Sequence, residues 1–191
     1  MIYETLICIT EEINSNFKRK LQTNEEKVIL SGIVNQDGSI AIQGENKIVV
    51  TLLNVEKDTV GKSITGAAPG VTIPNTVPAV NINLYVLFSA YFSSANYHEA
   101  LRFLSFVVAY FQSKNVFTRA NTPSMDPRIG KLIFEMESPG ADKLNNIWTT
   151  LGAKYMPSVV YKVRMLSFDD SIIKEYRPSV TGTEGRVGPA S

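Results

Sequence analysis

The first twenty residues carry an apolar repeat with the period of an α-helix. Apolar side chains recur every three or four positions, at Ile2, Leu6, Ile9, Ile13 and Phe17. Acidic residues come early in this stretch and basic residues come late, an order that suits the dipole of a helix. The pattern predicts an amphipathic helix that packs one face on a core.

The next apolar runs have the character of β-strands. Residues 27–34 and 47–55 each read as a strand, and apolar side chains alternate with other residues from Val80 to Phe88. The stretch 47–55 is almost continuously apolar, which is typical of a strand inside a sheet. Asp37-Gly38 between the first two runs is typical of a tight turn. We therefore expect three strands before the middle of the chain.

A second helix is predicted over about residues 96–113, and it is apolar around most of its circumference. Its polar stripe is narrow and contains His98, Arg102 and Ser105. We expect such a helix to be covered on more than one side. The predicted core face consists of Tyr97, Leu101, Leu104, Val108 and Phe111.

The C-terminal part of the core reads as strand, helix and strand. The strands alternate around Leu132, Phe134 and Met136 and again from Val159 to Met165, and the helix presents Leu144, Ile147, Trp148 and Leu151 on one face. Gly152 occupies the position where a left-handed cap would end that helix. The predicted fold class is α+β: a mixed, largely antiparallel sheet of about five strands flanked by three helices, in the order helix, strand, strand, strand, helix, strand, helix, strand.

Two segments lack a helical or strand period. Residues 56–78 are rich in Gly and Pro and form a connection longer than compact domains normally contain, so we interpret them as an extended arm that binds a partner. Residues 169–191 carry few large apolar side chains, and we expect this tail to be ordered mainly by a neighbouring protein. The predicted organisation is a core domain over residues 1–168, including the arm, and a tail over 169–191.

Composition points to protein partners. The 191 residues include 19 basic and 18 acidic side chains, so the chain lacks the positive charge typical of proteins that bind nucleic acid or an anionic membrane. We find no apolar run of about 20 residues and no secretory signal, and Cys8 is the single cysteine. These features predict a protein assembled in the cytoplasm, with neither a nucleic acid nor a membrane as partner.

The residue types that usually carry chemistry are scattered. Gly61-Lys62-Ser63 follows an apolar strand as a phosphate-binding loop would, but Glu56 stands where that loop needs its first glycine. His98 has no second histidine to share a metal ion with, and Asp169 and Asp170 are neighbours that would point apart on an extended chain. Cys8 projects among acidic residues away from the core stripe, so we interpret it as a surface or interface cysteine. We predict no catalytic, cofactor-binding or metal site.

The order of several motifs resembles one family of structural proteins. The clearest motif is Trp148-x-x-Leu151-Gly152-x-x-Tyr155-x-Pro157-Ser158-x-x-Tyr161, and residues 1–14, 48–56, 83–92 and 97–104 add further matches in the same order. Together they are similar to the tail-terminator, or cap, proteins of phage-tail-like contractile injection systems, of the antifeeding prophage and Photorhabdus virulence cassette type. The resemblance implies a homohexameric ring that ends the inner tube and anchors the last sheath ring, with the tube and sheath proteins as partners and no enzymatic activity.

Two alternatives to a cap remain open at this point. A small enzyme or ligand-binding α/β protein could use the Pro/Gly-rich stretch as a lid, and it would need convergent polar groups in a pocket. Another baseplate or tube-associated component of the same particle would share the structural character of a cap. Trp148 is interpreted as a core residue, although a wide aromatic side chain also serves as an interface anchor.

Overall fold

The computed structural model describes residues 1–58 and 81–167. Within these ranges the chain forms three α-helices, one short 3₁₀ turn and six strands. The helices are α1 (Ile2–Leu21), α2 (Tyr97–Ser113) and α3 (Ala141–Thr150), and the strands are β1 (Val28–Leu30), β2 (Lys47–Lys57), β3 (Ile82–Tyr91), β4 (Val116–Phe117), β5 (Ile129–Glu137) and β6 (Ser158–Ser167).

The strands form one mixed sheet in the order β1-β2-β3-β6-β5-β4. β1 and β2 are parallel, and the other four neighbouring pairs are antiparallel. The predicted α+β class with a largely antiparallel sheet is confirmed. The sixth strand, β4, was not expected, because a strand of two residues is too short to show an alternating pattern.

Two strand boundaries differ from the sequence prediction. β1 ends at Leu30 rather than near residue 34, because the chain leaves the sheet there and closes a small turn in which the Asn35 amide donates to the Ser39 carbonyl at 2.8 Å. β2 continues to Lys57, so the first two residues of the predicted arm belong to a strand. Directly after it, the Asp58 amide donates to the Asn81 carbonyl at 2.9 Å. Asp58 and Asn81, which flank segment 59–80 in the sequence, are therefore adjacent in the structure.

Helices α1 and α2 cover one face of the sheet and enclose the larger core. The α1 stripe predicted from the sequence is buried there except for Ile2, which is partly buried, and Phe17 packs edge-on against Phe103 of α2 with ring centroids 5.5 Å apart. Further along α2, Phe111 stacks on Phe134 of β5 at 4.4 Å. Because Phe111 also contacts Phe88 of β3, the aromatic side chains of α2 connect α1 to both halves of the sheet.

The core face of α2 is rotated relative to the prediction. Leu104 and Phe111 are buried as expected, but Tyr97 and Leu101 are 51% and 43% exposed. The buried positions are Ala100, Phe103, Leu104, Val107, Tyr110 and Phe111. The expectation that α2 is covered on more than one side holds for the sheet and for α1, but it is wrong for the turn that carries Tyr97 and Leu101.

Helix α3 covers part of the opposite face of the sheet. Trp148 is 4% exposed and packs in a second apolar cluster with Val49, Leu87 and Val160, which confirms its interpretation as a core residue. Gly152 has φ +65°, the left-handed conformation predicted for the residue after this helix. Because α3 has ten residues, it is too short to cover the sheet from edge to edge.

Candidate functional site

The side chains considered for chemistry do not converge in the described part of the chain. His98 lies on the exposed side of α2 beside Arg102, as expected from the polar stripe. Lys62, Asp169 and Asp170 lie outside the described residues, as do most of the predicted arm and the predicted tail. Across residues 1–58 and 81–167, no group of three His, Cys, Asp or Glu side chains is arranged to hold a metal ion.

The prediction for Cys8 is wrong, because its side chain is 4% exposed in the larger core. Its sulfur lies 3.8 Å from the Ser124 hydroxyl, in the loop that leads to β5. That loop packs on the side of α1 opposite the main stripe, which a helical projection of α1 alone does not reveal. Burial raises the pKa of the Cys8 thiol and so disfavours the nucleophilic thiolate.

A polar network joins α1, α2 and the loop after β4. Glu12 accepts hydrogen bonds from the Lys114 ammonium at 2.7 Å and from the Tyr110 hydroxyl at 3.2 Å. The Lys114 ammonium also donates to the Asn121 carbonyl at 3.0 Å. Burial, followed by the charge and hydrogen bond of Glu12, raises the pKa of Tyr110, so this phenol stays protonated. The network therefore connects the two helices through Glu12.

The described structure does contain a groove on the sheet face that carries α3. The groove has a volume of about 340 Å³ and runs between α3 and the strands β2 and β3. Its lining is apolar at Leu53, Tyr85, Ile147 and Leu151, and polar at Asn54, Glu56, Asn146 and Thr150. Desolvation and a hydrogen bond with Glu56 raise the pKa of Tyr85. This lining has one carboxylate, Glu56, and two hydroxyl groups, those of Tyr85 and Thr150.

A second exposed surface lies on the other face of the sheet, at the start of α2. Tyr97 and Leu101 lie one helical turn apart, and both expose a large part of their side chains. On the flank of α2 that faces α1, the ring of Phe106 has the Lys20 ammonium 4.2 Å from its centroid and the Arg102 guanidinium 5.6 Å away. Sequence reasoning assigned Tyr97 and Leu101 to the core, and no local signal distinguishes them from the buried residues of α2.

An ion pair joins Asp58, directly after β2, to β6. Arg164 of β6 reaches across β3 to the Asp58 carboxylate, with nitrogen and oxygen 3.4 Å apart, and lies 3.8 Å from Glu135 of β5. The Asp58 side chain is 3% exposed. The last residues of β2 and β6 lie at the same end of the sheet, because Lys57 and Met165 both pair with Ile82. None of the helices at 2–21, 97–113 and 141–150 is long and apolar enough to cross a membrane.

Comparison with solved structures finds the same fold in a contractile injection system. The sheath/tube terminator of the extracellular system PVC, in its extended state, aligns with a TM-score of 0.61 and 15% sequence identity. The alignment covers 100% of this chain and 64% of that chain, so this chain spans less than two thirds of its length. The tube-terminating cap of the anti-feeding prophage aligns with a TM-score of 0.46 and 17% identity, over 93% of this chain and 60% of that chain.

The sequence matches no curated protein. A family model does match it: the model of the Pvc16 N-terminal domain covers residues 8–182 and so includes almost all of the helices and strands described above. The resemblance to cap proteins seen in the sequence motifs is thereby confirmed at the level of the family. The chain belongs to the Pvc16 N-terminal domain family.

Proposed function

We propose that this chain is a structural cap, or tail terminator, of a contractile injection system. The observation that carries the proposal is the family match over residues 8–182. One solved chain that shares the fold is a sheath/tube terminator, and this chain spans 64% of it. We therefore assign to this chain the part of a terminator's role that a single α+β domain can perform, which is to assemble and to bind its neighbours.

In this role the protein forms a homohexameric ring on the distal end of the inner tube, stops tube growth and anchors the last sheath ring. Its partners are further copies of itself, the inner tube protein and the sheath protein, and no cofactor is needed. Rings of identical subunits require surfaces that fit one another. The exposed Tyr97–Leu101 turn and the groove beside α3 are suitable candidates for such surfaces.

We further propose that the chain is not an enzyme. The burial and raised pKa of Cys8 and the open position of His98 on α2 support this, because within residues 1–58 and 81–167 neither has the paired base or acid that nucleophilic or acid–base catalysis requires. The protein would be assembled in the cytoplasm and become part of the particle. The proposed core domain over 1–168 would carry the ring contacts, and the arm 56–78 and the tail 169–191 would reach neighbouring proteins.

The proposal is tested by deleting the gene from a strain that produces the particles and measuring tube lengths by electron microscopy. We expect tubes of uncontrolled length without a capped end, and a return to one length on complementation. Labelled protein should be found at the sheath-distal end of the particle. Unchanged tube lengths would contradict the cap function, and label at the needle end would identify the chain as a baseplate component instead.

A further inference from the structure

We propose that Ser89 of β3, Ser158 of β6 and Trp148 of α3 bind a water molecule between α3 and the sheet. Three polar atoms carry the proposal: the hydroxyl oxygens of the two serines and the indole nitrogen Nε1 of Trp148. Each of these atoms is buried and has no hydrogen-bond partner within residues 1–58 and 81–167. The proposal concerns how α3 is attached to the sheet, so it goes beyond the proposed function and does not depend on it.

The two serines lie opposite each other on neighbouring strands. Ser89 and Ser158 are register partners in the antiparallel pair of β3 and β6. The Ala90 amide donates to the Pro157 carbonyl at 2.8 Å, so the adjacent pair of serines is a non-hydrogen-bonded pair. In such a pair the Cα atoms are only about 4.5 Å apart, and the side chains are closer than in a hydrogen-bonded pair. One water can bridge the two hydroxyls, because two hydrogen bonds of about 2.8 Å span up to about 5.5 Å.

Both serines point to the face of the sheet that carries α3. Side chains alternate along a strand, so Ser89 shares its face with Leu87, and Ser158 shares its face with Val160. Leu87 and Val160 both pack in the apolar cluster of Trp148. Ser89 is 0% exposed and Trp148 is 4% exposed. The three polar atoms therefore belong to one buried layer between the helix and the sheet.

Water has the hydrogen-bonding capacity that these three groups require. An indole N–H can only donate, whereas a serine hydroxyl can donate and accept. One water that accepts from Trp148 and bonds to both serines satisfies all three groups, and buried waters typically make about three such hydrogen bonds. A direct hydrogen bond between the two serines would leave the Trp148 N–H without an acceptor. A shared water thus accounts for the whole set.

Ser158 also connects the site to the protein surface. Together with Leu144 and Glu137 it lines a groove of about 240 Å³ between β6 and the start of α3. The Ser158 residue is half-buried although its hydroxyl oxygen is buried. Water therefore has a short route to the site that does not require α3 to leave the sheet.

Nuclear magnetic resonance tests the proposal on the unmodified, full-length protein. Trp148 is the single tryptophan of the chain, so its indole N–H gives one resonance when tryptophan is labelled with ¹⁵N. We expect a cross-peak between this proton and water that has opposite sign in nuclear and rotating-frame Overhauser spectra. Opposite sign identifies a bound water, whereas chemical exchange of the indole proton gives the same sign in both spectra.

Serine variants show whether the water lies at the proposed place. We expect the cross-peak to weaken in Ser89→Ala and in Ser158→Ala and to be lost in the double variant. The fluorescence emission of Trp148 should shift to shorter wavelength in the double variant, because the indole N–H loses its acceptor. Ser105→Ala, on the exposed side of α2, is the matched control and should change neither signal. Thermal unfolding of each variant ensures that a lost signal is not a lost fold.

Two results would overturn the proposal. One is the absence of the water cross-peak in the unmodified protein, and the other is a cross-peak that stays unchanged in the serine variants. If the double variant does not fold, the unmodified protein and the two single variants give the decision. The tube lengths of the deletion strain test the cap function without reference to this site, so the two proposals fail separately.

Discussion

The Asn14 side chain of α1 hydrogen-bonds both backbone groups of Val28 in β1. Its amide donates to the Val28 carbonyl at 2.7 Å, and its carbonyl oxygen accepts from the Val28 amide at 2.9 Å and from the Lys27 amide at 3.0 Å. β1 is an edge strand, and these groups face away from β2. One side chain of a helix therefore takes the place of a neighbouring strand, which satisfies the edge and blocks pairing with another chain.

We predict that Asn14→Ala destabilises the domain by about 2 to 4 kcal/mol, because two backbone groups of Val28 lose their partners in a buried position. Urea unfolding monitored by circular dichroism measures the change. Ser15→Ala, on the exposed side of the same turn, is the matched control and should change the free energy of unfolding by less than about 0.5 kcal/mol. Equal stability of both variants would show that the edge contact contributes nothing.

Trp148→Ala is predicted to cost about 3 to 5 kcal/mol, since it removes the largest side chain from the cluster beneath α3. That loss is a large share of the stability of a domain, so particles made with the variant should lack the cap through unfolding. Tyr155 packs on Trp148 with ring centroids 5.8 Å apart but is 64% exposed. Tyr155→Ala should therefore cost much less. Similar melting temperatures for the two variants would contradict the assignment of Trp148 to the core.

The pair Asp126 and Arg128 predicts a component of stability that is lost in acid. Hydrogen bonds from the Arg128 side chain and backbone lower the pKa of the Asp126 carboxyl to about 2, below the value of about 3.9 in an unfolded chain. The ionised form is favoured in the folded state, so this stability is present above about pH 4 and disappears as the pH falls towards 2. Melting temperatures of Asp126→Asn should be lower than those of the unmodified protein at pH 7 and converge with them near pH 2. A constant difference across this range would contradict the linkage.

The predicted arm is tested by shortening it without disturbing the sheet. Glu56 and Lys57 belong to β2, and the Asp58 amide is hydrogen-bonded to the Asn81 carbonyl. The replacement therefore spans residues 60–79 and leaves these contacts in place. A Gly/Ser linker of a few residues can close the gap between adjacent strand ends. We expect a folded protein with an unchanged melting temperature that no longer caps particles. Tubes of normal length with a capped end would contradict the role of the arm.

Lys62→Ala, His98→Ala and Cys8→Ser are predicted to leave the function of the particle intact, because none of these residues is expected to have a partner set that would activate it. Cys8→Ser places a hydroxyl in the core and should lower the melting temperature slightly. Particle assembly and thermal unfolding are measured side by side for the three variants. Loss of function in Lys62→Ala with the fold intact would restore an anion-binding role for Gly61-Lys62-Ser63.

The hydrophobic period of the sequence correctly predicted the helices and strands that bury one face along their whole length. The α1 stripe ending at Phe17, the helix around Trp148 with its cap at Gly152 and the long strands are all found where the pattern indicated them. Such elements bury one continuous face, so their hydrophobic period reports the contact directly. The same periods established the α+β class. The arm 56–78 beyond Asp58 and the tail 169–191 stay predictions, since both lie outside the described residues.

The tertiary structure determined the features that depend on contacts between residues distant in sequence. Cys8 is buried because the loop containing Ser124 covers the outer side of α1. The short strand β4 forms because it can pair with β5. The parallel pairing of β1 with β2 follows from the path of residues 31–46, which no local pattern specifies. Apolar residues surround most of α2, so the sequence determined that the helix is apolar but did not determine which side of it is buried. The positions of α1 and the sheet alone determined that Tyr97 and Leu101 stay exposed, because burial depends on what packs against a side chain and not on its own polarity.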